Sequence, residues 1–155
     1  MADVIQFIDG FDHYQPSTEW MYKWHNSNGA NQRSPGRFSA GQALRFTTNN
    51  WLYKQFAVSS AAWRIGFGFY LNAQSSANTL FLIQMVENGT NQWGIYCSPT
   101  THVLGFHRNG TAVGSASTYA VPMNTWIHIE VYGVCSDSIS SGHAIIKVNG
   151  TTELS

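Results

Sequence analysis

The sequence predicts an all-β chain, a two-sheet antiparallel β-sandwich, on three observations. Asn-Gly pairs at Asn88-Gly89, Asn109-Gly110 and Asn149-Gly150 stand between apolar runs. A type I′ hairpin turn needs positive φ at both central residues, which Asn and Gly tolerate best. Trp63–Leu71 and Trp126–Tyr132 alternate with period 2, the spacing that gives a strand one apolar face. Thr79–Glu87 is apolar on both faces, with Leu80, Leu82 and Val86 against Phe81, Ile83 and Met85. That pattern reads as a strand inside a layered β structure. Heptads, solenoid repeats and linkers are absent, so the 155 residues read as one domain, 1–155.

In chain order, Val4–Ile8 reads as a first strand and runs into Asp9-Gly-Phe-Asp-His-Tyr14. Asp9, Asp12 and His13 are candidate metal ligands, calcium being the ion that carboxylate oxygens suit. The same residues suit a turn whose Asp side chains accept backbone N–H bonds, and their spacing matches no known metal loop. Ser17–Trp24 reads as a short helical turn capped by Ser17 or Thr18. His25–Arg37, rich in Asn, Gly and Ser and containing Pro35-Gly36, reads as a loop. A loop that long is often functional. Gln42–Phe46 alternates as a strand, Asn49-Asn50 turns the chain, and Trp51–Phe56 is the next strand.

Trp63, Ile65, Phe67, Phe69 and Leu71 share the core face of their strand, and Arg64, Gly66, Gly68 and Tyr70 share the other. Glycine in a strand interior costs stability and often marks close approach by a ligand or another backbone. Two of them flanked by Arg and Tyr form the floor of a shallow groove, or are filled by bulky neighbours. Then come the runs 79–87, 92–97 and 103–108, a short strand at Thr111–Ser115 and a loop at Ser115–Pro122. Trp126–Tyr132 buries Ile127, Ile129 and Val131, Ser136–Ser141 is a polar turn, and His143–Val148 is the last long strand. Short strands at regular spacing mean a sandwich or a jelly roll.

Composition excludes several functions. Eight Lys and Arg balance eight Asp and Glu, and only 10% of residues are charged, against nucleic-acid binding, which needs clustered cations. No apolar run reaches a membrane span. Met1-Ala-Asp-Val lacks the basic and apolar regions of a secretion signal, so the three Asn-Gly-Thr triplets read as hairpin turns rather than glycosylation sites. Cys97 and Cys135 read as two buried thiols, a disulfide finding no oxidising compartment to support it. The six histidines are scattered, and His107 and His128 read as packed rather than metal-bound.

Trp126-Ile-His-Ile-Glu-Val131 resembles the Trp-x-His-Val-x-Val strand of laminin-G-like and concanavalin A-like jelly rolls. The order around it is similar: Gly41–Phe46, Trp63–Phe67, Gly105-Phe-His-Arg-Asn-Gly-Thr111 and Lys147-Val-Asn-Gly-Thr151. Phe7-Ile-Asp-Gly-Phe-Asp-His-Tyr14 is similar to the opening of such domains in tailed-bacteriophage structural proteins. The resemblance implies a concanavalin A-like jelly roll and a non-enzymatic virion structural protein, tail-associated or a capsid decoration or adhesion component. It implies other virion subunits as partners, a homo-oligomer, and assembly in the host cytoplasm. Such domains usually continue past the Val-Asn-Gly-Thr turn with further strands, whereas Thr152–Ser155 are all that follow here. The expectation is an abbreviated C-terminal edge, or one completed or covered by a partner.

The alternative reading is a glycan-binding, lectin-like module. Aromatic rings stack on sugar faces while amides, carboxylates and guanidinium groups bond hydroxyls. The candidates are Arg64, Gly66, Gly68, Tyr70, Trp51 and Trp93, with Asn residues of 25–37; each aromatic suits core or satellite packing better than sugar stacking. A third reading is a glycoside hydrolase, since some jelly rolls carry a Glu-x-Asp-x-x-Glu strand. That pattern is absent here, as are a Gly-x-Ser-x-Gly elbow, a His-Glu-x-x-His and a P-loop. Glu130 could face a second acid across strands, but hydrolysis requires two carboxyls at a defined separation, and Glu130 and His128 on one strand face read as satisfying each other structurally. The sequence therefore reads as non-enzymatic, with no cofactor.

Overall fold

The computed structural model describes residues 26–28, 32–37, 42–46, 51–55, 62–72, 78–134 and 142–155. The expected strand Val4–Ile8, the metal candidates Asp9, Asp12 and His13, the helical turn at Ser17–Trp24, the turns at Asn49-Asn50 and Ser136–Ser141, and Cys135 lie outside the described residues. Within these residues all regular structure is β, and no helix is long and apolar enough to cross a membrane. The chain divides into two compact units, Met1–Ser59 and Ser60–Ser155.

In the first unit, β1 (Asn26–Asn28) pairs with β4 (Trp51–Tyr53), and β2 (Gln32–Pro35) pairs with β3 (Gln42–Arg45), both antiparallel. The expected loop at 25–37 is therefore corrected: it contributes two strands. Asn, Ser and Gln rank low in β propensity, but ladder bonds use backbone groups that every residue but Pro supplies in full. A polar segment thus becomes a strand when a partner presents an edge. Pro35 closes β2 opposite Gln42, at a strand end where a missing N–H is tolerated.

The second unit holds the sandwich. Its strands are β5 (Ala62–Tyr70), β6 (Leu80–Glu87), β7 (Thr90–Cys97), β8 (Leu104–Arg108), β9 (Thr111–Val113), β10 (Trp126–Val134), β11 (His143–Val148) and β12 (Thr151–Leu154). One four-stranded sheet has the order β12-β11-β10-β5 and the other β6-β7-β8-β9, with every pair antiparallel. The inward residues of both sheets make one core. Ile127, Ile129 and Val131 of β10 and Ile146 and Val148 of β11 cluster with Ile95 and Cys97 of β7 and Leu104 of β8. Leu71 and Val121 close it from the connections. Ile129 is fully buried, and truncating such a side chain to Ala costs about 2–5 kcal/mol.

The hairpins form where the Asn-Gly pairs stand. Asn88 and Gly89 have φ of 50° and 77°, Asn109 and Gly110 of 48° and 78°, and Asn149 and Gly150 of 50° and 87°. Asn149 also ties two hairpins together. The His128 N–H donates to Asn149 Oδ1 at 2.9 Å, and the Asn149 N–H donates to the His128 carbonyl at 2.8 Å.

Placement of β6 corrects a second expectation. It lies at an edge of its sheet, and Phe81 and Val86 remain exposed. Register shifts between Phe81 and Ile83 and between Met85 and Val86 break its alternation, so both faces carry apolar residues without the strand being interior. Bulges of this kind blunt an edge against unwanted pairing. At the C-terminal side, Thr151–Leu154 pair with β11 as the other sheet's edge strand.

Candidate functional site

The outward face of β5 and β10 collects the polar and aromatic residues of the longest ladder among the described residues. Alternation turns Trp63, Ile65, Phe67 and Phe69 inward, leaving Arg64, Gly66, Gly68 and Tyr70 exposed. The register then sets Tyr70 opposite Trp126, Gly68 opposite His128, Gly66 opposite Glu130 and Arg64 opposite Tyr132. Four of the predicted site residues therefore share one surface. Trp126, His128, Glu130 and Tyr132 complete it, and β11 adds Lys147 opposite Glu130.

Each end of this face is built on a ring. The Tyr70 and Trp126 rings lie 5.3 Å apart and are tilted by 43°, within the range of favourable aromatic pairs. Tyr70 keeps 40% of its surface exposed, so the pair presents a ring to solvent rather than hiding it. At the other end the Arg64 guanidinium sits 5.3 Å from the Tyr132 ring centre, a cation–π geometry. Tyr132 also meets His143 of β11 at 5.4 Å. Between the ends, His128 Nε2 lies 3.5 Å from Glu130 Oε1.

The two glycines separate packing from function. A Cβ on Gly66 would come 3.5 Å from His128 Nε2, and one on Gly68 would come 3.6 Å from the Trp126 ring. Those are ordinary van der Waals distances, so the neighbouring rings lean over the glycines without excluding a side chain. Neither glycine is assigned a positive φ. Glycine in a strand interior costs roughly 0.5–1 kcal/mol relative to Ala, and packing supplies no compensating need for it here. Gly94 and Gly105 behave differently. A Cβ on Gly94 would collide with the Ile83 carbonyl and the His107 ring, and one on Gly105 with the Tyr96 ring. The glycines of β7 and β8 are required by packing, whereas those of β5 leave open surface.

Trp93, the other candidate of this unit, is not on this face. Trp93 packs against the core between the sheets, where a Cβ on Gly133 would come 3.0 Å from its ring. Trp51 belongs to the other compact unit, exposed, with its ring 5.9 Å from Tyr53. Among the described residues no group of three or more His, Cys, Asp or Glu could hold a metal ion. Sequence reasoning missed Trp126, Tyr132 and Lys147 as members of the face. Their alternation was legible, but the neighbour of β5 is β10, reached only after the whole second sheet.

Two buried groups lie away from this face. Cys97 is buried with its Sγ 3.4 Å from the His102 carbonyl, and burial pushes its thiol up to about 11. His107 is 1% exposed, and neither ring nitrogen makes a hydrogen bond of ordinary geometry among the described residues. Burial holds its pKa below the usual value, and the Ile83 carbonyl opposes this more weakly. The Phe81 ring meets it edge-on at 4.8 Å.

Compared with family models, curated proteins and solved structures, the chain finds no match.

Proposed function

We propose that the chain is a non-enzymatic, glycan-binding adhesion module that uses the outward β5–β10 face. The observation that carries this reading is the pair Gly66 and Gly68: exposed strand glycines that packing does not require, set between an arginine and an aromatic pair whose Tyr70 ring is exposed. Sugar rings need a flat aromatic surface for their apolar face and donors and acceptors for their hydroxyls, with backbone close beneath. Tyr70 and Trp126 supply the first, and Arg64, His128 and Glu130 the second.

Resemblance of the chain to concanavalin A-like jelly rolls of tailed-bacteriophage structural proteins supports a virion as the setting, with the module as a tail or capsid-decoration component in a homo-oligomer. A hydrolytic role finds no support on this face. Glu130 is the only carboxylate on β5, β10 and β11, and glycosidases use two across the scissile bond.

The test is a glycan array probed with the whole chain and with Tyr70→Ala and Trp126→Ala. The expected result is binding to a defined set of glycans that both substitutions weaken by about two- to tenfold, the loss of a stacking contact of about 0.5–1.5 kcal/mol. Binding unaffected by both substitutions, or the lack of any bound glycan, overturns the reading. Light scattering of the purified chain tests the assembly, with a closed oligomer expected and a monomer at high concentration counting against it.

A further inference from the structure

We infer that the β1–β4 ribbon is a second glycan site, stacking a neutral hexose oligosaccharide on Trp51 and Tyr53; this rests on the glycan-binding reading above and adds a site in the other compact unit. Exposure is the first argument. Alternation along β4 puts Trp51 and Tyr53 on one face and Leu52 on the other. Trp51 keeps 44% of its surface exposed and Tyr53 43%, although large aromatic side chains are among those that gain most from burial. Adjacent exposed rings on one strand face make a contiguous apolar patch, and such patches mark interaction sites. The two ring centres lie 5.9 Å apart with a tilt of 42°. Tyr70 and Trp126 pair at 5.3 Å and 43°, so the same tilted Trp–Tyr pair occurs in both units.

Chemistry is the second argument. The register sets Asn28 opposite Trp51 and Asn26 opposite Tyr53, and residues directly opposite in an antiparallel pair share a face. Each ring position therefore has an amide residue as its cross-strand neighbour. An amide both donates and accepts hydrogen bonds, as a sugar hydroxyl does. Asn26–Asn28 and Trp51–Tyr53 hold no charged residue, so the ribbon offers an ionic ligand no opposite charge. Rings beside uncharged amides suit a neutral pyranose, whose C–H face stacks while the hydroxyls at its rim form hydrogen bonds.

The test takes the whole chain and neutral oligosaccharides of glucose, galactose, mannose and N-acetylglucosamine, arrayed first and the best-bound then titrated in free form under ¹H–¹⁵N NMR. The indole N–H signals of Trp51 and Trp126 report the two sites separately. Both are expected to shift along saturating curves, and the Trp51 curve is expected to be insensitive to added salt, as an uncharged site requires. Trp51→Ala is expected to weaken binding read at the Tyr53 amide by about two- to tenfold, the loss of a stacking contact. Asn28→Ala is expected to weaken it by a similar factor, the loss of a hydrogen bond. Trp51→Phe keeps a ring and should retain most of the affinity, which separates lost stacking from lost fold. Trp126→Ala should leave the Trp51 curve in place. A Trp51 signal that stays fixed while Trp126 titrates overturns this inference and leaves the β5–β10 reading standing. Trp51 shifting alone upholds this site and overturns the other. No shift at either overturns both. A Trp51 signal that moves with chain concentration and not with sugar also overturns the inference, and assigns the ribbon to contact between copies of the chain.

Discussion

Gly94 and His107 face each other across the β7–β8 ladder, and the imidazole fills the space that a side chain at 94 would need. The relationship explains why this glycine sits in a strand interior, where glycine costs stability. Replacing Gly94 with Ala drives the new methyl group into the Ile83 carbonyl and the His107 ring. Overpacking of this kind costs about 1–3 kcal/mol, and urea unfolding of Gly94→Ala should show a loss of that order. Gly105→Ala, against the Tyr96 ring, should behave alike.

Gly66 and Gly68 should respond in the opposite sense. Their Cβ positions lie at ordinary contact distance, so Gly68→Ala is expected to keep or raise stability, by up to about 1 kcal/mol. The same substitution raises the groove floor and should weaken glycan binding. Denaturation and binding measured on one preparation check both halves of this prediction. A Gly68→Ala chain that is less stable and binds normally would contradict it.

The buried imidazole gives a pH dependence with a definite sign. His107 has a folded pKa below its ordinary value of 6.5, so between those two values the unfolded chain binds a proton that the folded chain refuses. Its contribution to stability is therefore intact above about 6.5 and is lost as pH falls from there toward the folded value. His107→Phe keeps a ring over Gly94 and removes the titration. The unfolding free energy of the original chain should fall more steeply between pH 7.5 and pH 5 than that of His107→Phe.

Ser117 stands in for a strand. Its N–H donates to the Leu104 carbonyl at 2.7 Å, its Oγ accepts from the Leu104 N–H at 3.0 Å, and its hydroxyl donates to the Tyr119 carbonyl at 2.9 Å. Ser117→Ala strands a buried backbone donor, which costs about 1–3 kcal/mol. Chemical denaturation should register that loss with an unchanged m value.

Cys97 should be silent in the folded chain. A thiol pushed up to about 11 is roughly one part in a thousand thiolate at pH 8, and thiolate is the reactive form. In a Cys135→Ser background, maleimide labelling of Cys97 should follow the rate of unfolding and should jump in denaturant.

Sequence periodicity located β5, β10 and the meander of β6 to β9 because alternation and Asn-Gly turns are local signals. It failed at β1 and β2, where an Asn-rich segment is made a strand by β4 and β3. It also misjudged β6: bulges let an edge strand carry apolar residues on both faces, which mimics an interior strand. Half of the candidate face was legible as Arg64, Gly66, Gly68 and Tyr70. The other half was not, because nothing in a single strand names its neighbour across the ladder. Trp93 and Tyr70 look alike as sequence, and only the register separates the ring between the sheets from the ring on the surface.

The most direct measurement is a ¹H–¹⁵N NMR titration of the whole chain with the oligosaccharide that binds best in the array. The largest shifts are expected at the backbone amides of Gly66 and Gly68, at the Trp126 indole N–H and at the Arg64 side chain, with Trp93 unmoved. Shifts confined to the first compact unit or to the second sheet, or no shifts at all, would contradict a glycan site on the β5–β10 face.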